Sequence, residues 1–258
     1  MNSRPHVLLL GGHSRVGQLL TPLLLNRSWA VTSLIRTKHE IPDIAKLSEH
    51  HRGKLDILVA DLEDVKDQAS AQSILNKVNP DYVVFSAGAG GKGPQERTLH
   101  IDRDAATYFI RAAAETPSVT RFLLISWLAC RHKRPSWWDE EQWKYAEEAY
   151  KSLGVYSDAK LASDDELRAA AAKRPEGFAA VDLRPGWLTN EKPGKVELGK
   201  TKRADGYISR ASVAEVADAL LAAEGLKSQW LDLVDGDEPV KAAVEKVVKD
   251  GVDAYSDN

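Results

Sequence analysis

The chain has 258 residues, 43% of them hydrophobic and 28% charged, enough for one large α/β domain with a substantial core or for two small ones. A net charge of -3 and a pI near 6.2 give no electrostatic footprint for nucleic acid or an anionic membrane. Cys130 is the only cysteine, so no internal disulfide forms, and the apolar run behind MNSRPH is too short to span a bilayer and lacks a secretory cleavage pattern. The expected setting is the reducing cytoplasm.

VLLL at 7–10 is a short continuous apolar run, as in a strand buried on both faces. Leucines at helical spacing follow over 18–27, with Pro22 placed near the first turns, where proline costs least. Further strands are predicted at 30–36, 55–62, 81–91, 121–129 and 178–186, and a last short one in WLDLVDGD. Helices are predicted at 67–78, 97–115 and 139–172, the last broken near Gly154. Ser212 with Glu215 reads as a capping box opening a helix at 212–224. Pro239 opens a final amphipathic helix with Val240, Val244, Val247 and Val248 inward. Strand–helix alternation of this kind predicts a Rossmann-type, doubly wound parallel sheet in a single domain over 1–258. Residues 130–155, 188–210 and 228–258 are expected to be substrate-side or peripheral elaborations. Ligands then bind beyond the first strand, at the topological switch point.

The turn GGHSRVG sits at that point. Gly11 or Gly12 makes the tight exit from the strand, and Gly17 lets the helix pack closely on it. Ser14 stands where the middle glycine is usual. Its hydroxyl either caps the helix or bonds a phosphate oxygen, and its N–H is expected to face the pyrophosphate. The turn as a whole, Gly11, Gly12, His13, Ser14, Arg15, Val16 and Gly17, is read as a dinucleotide cradle. NAD-preferring sites carry an acid at the end of the second strand, but here that end is Ile35-Arg36, followed by Thr37 and Lys38. A guanidinium at Arg36 holds a 2′-phosphate, and Arg15 reaches for the same group, so NADP(H) is the expected cofactor. At the end of the third strand, Asp61-Leu62 either contacts the adenine or caps a turn.

YSDAK places Tyr156 and Lys160 four residues apart, on one helical face. A nearby ammonium lowers the pKa of a phenol and fits it for proton transfer to a carbonyl that receives hydride. Ser126, at the end of the fifth strand, is an auxiliary donor at most. Trp137, Trp138 and Trp143 follow in RHKRPSWWDEEQWK, with Trp127 and Trp187 on strand ends. Trp127, Trp137, Trp138 and Trp187 either form a flat pocket for an aromatic substrate or anchor a lid. Cys130 reads as a buried small residue, His132 as a secondary proton donor, and RHKR as a solvated loop. No metal site is read.

Together GGHSRVG, YSDAK, LRPGWLTN and ISRASVAEVADALL resemble the atypical short-chain dehydrogenase/reductase superfamily, in its NmrA-like, NAD(P)H-binding group of biliverdin-IXβ and flavin reductases. The likeness covers nearly the whole chain. It implies that Arg36 and Arg15 serve the 2′-phosphate and that Ala87-Gly88 passes beside the cofactor ribose. It also implies that Lys160 bonds the nicotinamide ribose and that the backbone at Pro185 lies near the nicotinamide. Active relatives carry a serine or threonine where this chain has Leu128, and losing such a donor costs about 10²–10³ in rate. The expected activity is an NADP(H)-dependent oxidoreductase or epimerase acting on a small carbonyl-containing or aromatic metabolite. A cofactor-binding regulatory protein without turnover, or an enzyme of non-redox cyclisation or rearrangement, stays open beside it. The oligomeric state, monomer or dimer, is not legible.

Overall fold

The computed structural model describes residues 4–89 and 94–255. The opening apolar run forms β1 (His6–Leu10), and Val7 to Leu10 are fully buried. Their side chains alternate between two cores, Leu8 and Leu10 in one, Val7 and Leu9 in the other. That is the period of a strand covered on both faces. The chain continues through α1 (Arg15–Asn26), β2 (Ala30–Ile35), α2 (Ile41–Ala45), β3 (Lys54–Val59), α3 (Gln68–Val78) and β4 (Tyr82–Phe85). Next come α4 (Gln95–Thr98), α5 (Ala106–Glu115), β5 (Arg121–Ile125), α6 (Glu140–Leu153), α7 (Val155–Lys173) and β6 (Ala179–Pro185). The last third holds β7 (Trp187–Thr189), β8 (Val196–Gly199), β9 (Tyr207–Ser209), α8 (Arg210–Ala222), β10 (Gln229–Asp235) and α9 (Val240–Asp250).

The main sheet has eight strands in the order β3-β2-β1-β4-β5-β6-β10-β8, parallel throughout except for β8 against β10. β7 and β9 pair in a separate two-stranded parallel ribbon. The expected doubly wound sheet is therefore present. The order reverses at β1, which pairs with β2 on one side and β4 on the other. Leu10 is in register with Leu34 and with Phe85, so the loops after these three strands emerge side by side. They form the crevice in which a doubly wound sheet binds ligands.

Several boundaries differ from expectation, each for a local reason. α1 begins at Arg15, because Ser14 caps it by accepting from the Gly17 N–H, and Pro22 consequently lies well inside the helix. α8 begins at Arg210, because Ser209, not Ser212, is the cap; its side chain accepts from the Ser212 N–H, and the Ser212–Glu215 capping box is not formed. The single helix read over 97–115 is α4 and α5 joined by a π-helical stretch, Leu99–Ala105. The stretch from 228 onward, read as a substrate-side or peripheral elaboration, supplies β10, which lies inside the sheet between β6 and β8. The strand read over 81–91 ends at Phe85, and its Gly90-Gly91 end lies outside the described residues. In α9, Val244 and Val247 are buried, while Val240 and Val248 are half-buried against the same core. Among the described residues no helix is long and apolar enough to cross a membrane.

Candidate active site

The glycine turn is built for close approach. Gly11 has φ +83°, and a Cβ there would lie 2.6 Å from the Ala87 backbone; one on Gly12 would strike the Ser33 side chain on β2. Ser14 is tied down on three sides. Its N–H donates to Gly11 O at 2.9 Å, its Oγ accepts from Gly17 N at 3.0 Å, and its Oγ lies 2.9 Å from Ser86 Oγ at the end of β4. Ser14 therefore acts as cap and brace, and its N–H closes the turn instead of facing a phosphate. In the first turn of α1, the Gln18 N–H also goes to Ser14 O. The amides of Arg15 and Val16 have no intrahelical acceptor and are the ones positioned for an anion.

Beside this turn lies a cleft of about 290 Å³, lined by Gly11, His13, Ser14, Arg36, Asp61, Leu62, Ala87 and Gly88. Eight of the residues singled out from sequence are thus brought together. Asp61 caps a turn, its Oδ1 accepting from Glu63 N at 3.0 Å, which realises the capping reading. Arg97, held by Glu63 at 2.6 Å, adds a second cation to the cleft beside Arg36. Arg15 is placed elsewhere: it lines a separate cleft of about 330 Å³ with Asn190 and Arg210. Burial and the neighbouring Arg15 both lower the pKa of Arg210. Arg15 and Arg36 thus line different clefts. Glu40, five residues beyond the end of β2, also lines the cleft of Arg36 and Asp61.

The floor of the site hangs on Asp102, which the sequence reading did not single out. The π-helical stretch turns it inward, fully buried. One oxygen accepts from Ala89 N at 2.8 Å, and the other lies 3.2 Å from Lys160 Nζ. A Cβ on Gly88 would lie 2.8 Å from the latter oxygen, so only glycine fits there. Asp102 therefore fixes the Ala87-Gly88 loop and the lysine of the YSDAK pair at once. Lys160 also donates to Ile125 O at 3.1 Å, and Asp102 holds its pKa above the ordinary range against the opposing effect of burial.

Tyr156 sits one turn before Lys160 on α7, half-buried against the cluster that holds Trp127 and Leu128, with Lys160 Nζ 5.8 Å from its ring centre. Burial pushes its phenol up to about 12, outweighing the downward pull of Lys160. The expected lowering is thus reversed. Ser126 is buried and donates to Asp164 Oδ1 at 2.6 Å, so its hydroxyl proton is committed inward. Leu128 is buried, and its N–H bonds Pro185 O at 3.0 Å. The tryptophans pack mainly on one another and on neighbouring side chains. Trp127 meets Trp187 edge-on at 4.7 Å, Trp187 Nε1 donates to Tyr145 OH at 2.8 Å, and Trp138 Nε1 donates to Thr201 O at 2.7 Å. Arg131 stacks over Trp138 at 4.5 Å and over Trp137 at 5.3 Å. Trp137 and Trp138 thereby pack against Arg131, while Trp127 and Trp187 meet each other in the cluster against which Tyr156 packs.

Arg131 also corrects the reading of RHKR as solvated. It is buried and ion-paired with Asp232, as is Arg184 at 3.1 Å, and both arginines donate to Ala254 O. His132 is exposed and pairs with Asp165 at 2.9 Å. Cys130 is a buried thiol, pushed up by burial.

Beneath Ser126, Asp164 and Asp182 are both buried, and burial raises both carboxyls, Asp182 to about 7. Two neighbouring carboxyls in a buried site hold a proton that water would take from either alone. Between about pH 4 and pH 7 the folded chain therefore keeps a proton that an unfolded aspartate has released. Stability should fall as pH rises through that window, and the loss is complete above it. One pKa unit is about 1.4 kcal/mol, worth about 2–4 °C in a chain of this size. Relative to Asp182→Asn, the wild-type melting temperature should drop by at least about 4 °C between pH 5 and pH 8. Parallel pH curves for the two proteins would show that the pair does not hold that proton.

The NAD(P)H-binding family model matches residues 11–224. The chain belongs to this family. A UPF0659 protein of Schizosaccharomyces pombe is 31% identical over 96% of this chain and 97% of its own length. YhfK of Bacillus subtilis, named an uncharacterized sugar epimerase, is 30% identical over 93% of this chain and 99% of its own. Among solved structures, a Bacillus halodurans protein provisionally named an NAD-dependent epimerase/dehydratase superposes with TM-score 0.72 at 26% identity, covering 94% of this chain and 99% of that one. ChuY, an anaerobillin reductase of Escherichia coli O157:H7, shares the fold with TM-score 0.67 at 21% identity, over 91% and 98% of the two chains. The family resemblance carried by the motifs holds. The glycine turn that cannot bear side chains, the free first-turn amides of α1 and the cleft beside them fit a nicotinamide dinucleotide.

Proposed function

We propose that this chain is an NADP(H)-dependent oxidoreductase or epimerase acting on a small carbonyl-containing metabolite, with Tyr156 as proton donor. The observation that carries the reading is a convergence at the sheet's switch point. Asp102 joins the cofactor-side loop at Ala89 to Lys160, and Lys160 lies one helical turn from Tyr156. When bound, the cofactor supplies or accepts hydride. The chain's own part is then positional and protonic. The amides of Arg15 and Val16 hold the pyrophosphate, and Ala87-Gly88 passes beside the ribose. Lys160, with two contacts already made to Asp102 and Ile125 O, turns its remaining N–H to the ribose hydroxyls. Tyr156, kept protonated by burial, gives a proton to the substrate oxygen. Trp127 and Trp187 exclude water beside it. Arg36 and Arg97 are the cations that favour the 2′-phosphate. Relatives bearing epimerase and reductase names agree with either use of the hydride. The single buried thiol fits a reducing, cytoplasmic setting.

One observation favours the regulatory reading. The Ser126 hydroxyl points away to Asp164, and Leu128 offers none. Calorimetric titration with NADPH and NADH, followed by NADPH consumption with quinones, aldehydes and flavins as acceptors, separates the two. Binding with turnover supports the enzyme. Binding without turnover across the panel supports the regulator, and no binding of either cofactor removes both.

A further inference from the structure

The end of β2 carries a structural contradiction that bears on cofactor choice. Arg36 is exposed, and its guanidinium has no partner among the described residues. It stands ready for an anion. Directly behind it the chain turns through a short 3-10 segment, Lys38–Glu40, into α2, and this turn folds the Glu40 carboxylate back onto the strand end. Glu40 Oε2 accepts from Arg36 N at 2.8 Å and from Thr37 N at 3.1 Å. Its other oxygen lies 3.5 Å from His13 Nδ1 in the glycine turn, and the side chain is only 16% exposed. His13 is held from the far side by Asp43 at 3.2 Å.

The bond to Thr37 N alone would be an ordinary capping box. The bond to Arg36 N and the contact with His13 go beyond what capping needs. They place a carboxylate in the cleft shared by Arg36, Asp61 and Gly11, at the strand end where the adenosine ribose hydroxyls of a dinucleotide lie. Two backbone N–H groups that suit a phosphate are already filled by an anion of the protein's own.

We propose that Glu40 is the residue that sets cofactor choice, accepting the ribose 2′-OH of NAD(H) and opposing the 2′-phosphate of NADP(H). This inference rests on the dinucleotide-binding reading of the site. Arg36 draws the 2′-phosphate in, while Glu40 repels it and competes for the amides of Arg36 and Thr37. Glu40 therefore narrows the preference for NADPH that Arg36 and Arg97 give, so that wild type binds NADPH more tightly than NADH by no more than about tenfold. Arg15 does not tip the balance, because it lines the other cleft.

The test is calorimetric titration of NADPH and NADH into wild type, Glu40→Gln and Arg36→Ala, with the fragments adenosine 2′,5′-bisphosphate and adenosine 5′-monophosphate as probes of the same corner. Glutamine keeps an oxygen for the two amides, so the turn persists, and the melting temperature should stay within a few degrees of wild type. Glu40→Gln should tighten NADPH and the bisphosphate about tenfold, equal to about 1.4 kcal/mol, while NADH and the monophosphate move less than threefold. Arg36→Ala should weaken NADPH and the bisphosphate at least fivefold and leave the other two unchanged. Equal shifts for phosphorylated and unphosphorylated ligands, or none for Glu40→Gln, overturn the role of Glu40 while leaving the dinucleotide site standing. Failure of wild type to bind either dinucleotide overturns both readings.

Discussion

Asp102→Ala should lower the melting temperature by about 10 °C and reduce nicotinamide-cofactor affinity at least tenfold. The carboxylate is fully buried and holds two buried groups. One is the Lys160 ammonium at 3.2 Å, itself buried and otherwise bonded only to Ile125 O. The other is the Ala89 N–H at 2.8 Å, which fixes the loop carrying Ala87 and Gly88. Removing one member of a buried ion pair costs about 3–5 kcal/mol, because the remaining charge stays desolvated. At about 2–4 °C per kcal/mol this gives the stated shift. Asp102→Asn keeps an acceptor for Ala89 N but loses the charge, so it should fall between wild type and alanine in stability. Differential scanning calorimetry with parallel NADPH titration checks both effects. A wild-type melting temperature and affinity in Asp102→Ala would show that Lys160 and the Ala87-Gly88 loop are held by other contacts.

Asp102 also shows where sequence reasoning stops. The central strands were legible because β1, β4 and β5 are short apolar runs rich in β-branched, leucine and aromatic residues and buried on both faces. The glycine turn and the Tyr156–Lys160 pair were legible because their spacing is itself the signal. Asp102 was not, because it faces inward through a π-helical stretch, and a reading on the 3.6-residue period does not foresee the extra residue. β7, β8 and β9 are three or four residues long, too short for any periodicity to register. Glu40 was missed because the search for an acid stopped at the end of β2, while the turn returns the acid to that point from five residues on. The buried charges did leave a trace. Asp182 and Arg184 are two apart on a strand buried along its whole length, hence on one face, and Asp232 on β10 stands in register with Arg184. A pair of opposite charges at i and i+2 inside an apolar strand predicts an interior ionic layer, and AAVDLRP carries that pattern.

Tyr156→Phe should reduce kcat for carbonyl reduction by about 10²–10⁴, the usual contribution of a positioned general acid, while NADPH affinity stays within about twofold. The phenol is held at about 12 because burial outweighs the pull of Lys160. At any pH from 6 to 10 it is therefore protonated and available as a donor. The sign matters for the pH profile. Reduction needs the acid form, so the wild-type rate should show no fall due to Tyr156 on the alkaline side up to about pH 10. Oxidation needs the phenolate, a small fraction at neutral pH, so its rate should climb about tenfold per pH unit over the same range. A loss confined to kcat identifies an interaction made only in the transition state. Phenylalanine keeps the ring that packs against the cluster of Trp127, Leu128 and Trp138, so stability should change little and the kinetic loss is attributable to the hydroxyl. Full activity in Tyr156→Phe, on a substrate that wild type turns over, would shift the proton source to the Ser126–Asp164 hydrogen bond. In that case Asp164→Asn should lower turnover sharply, because it removes the carboxyl that the Ser126 hydroxyl is bonded to at the end of β5.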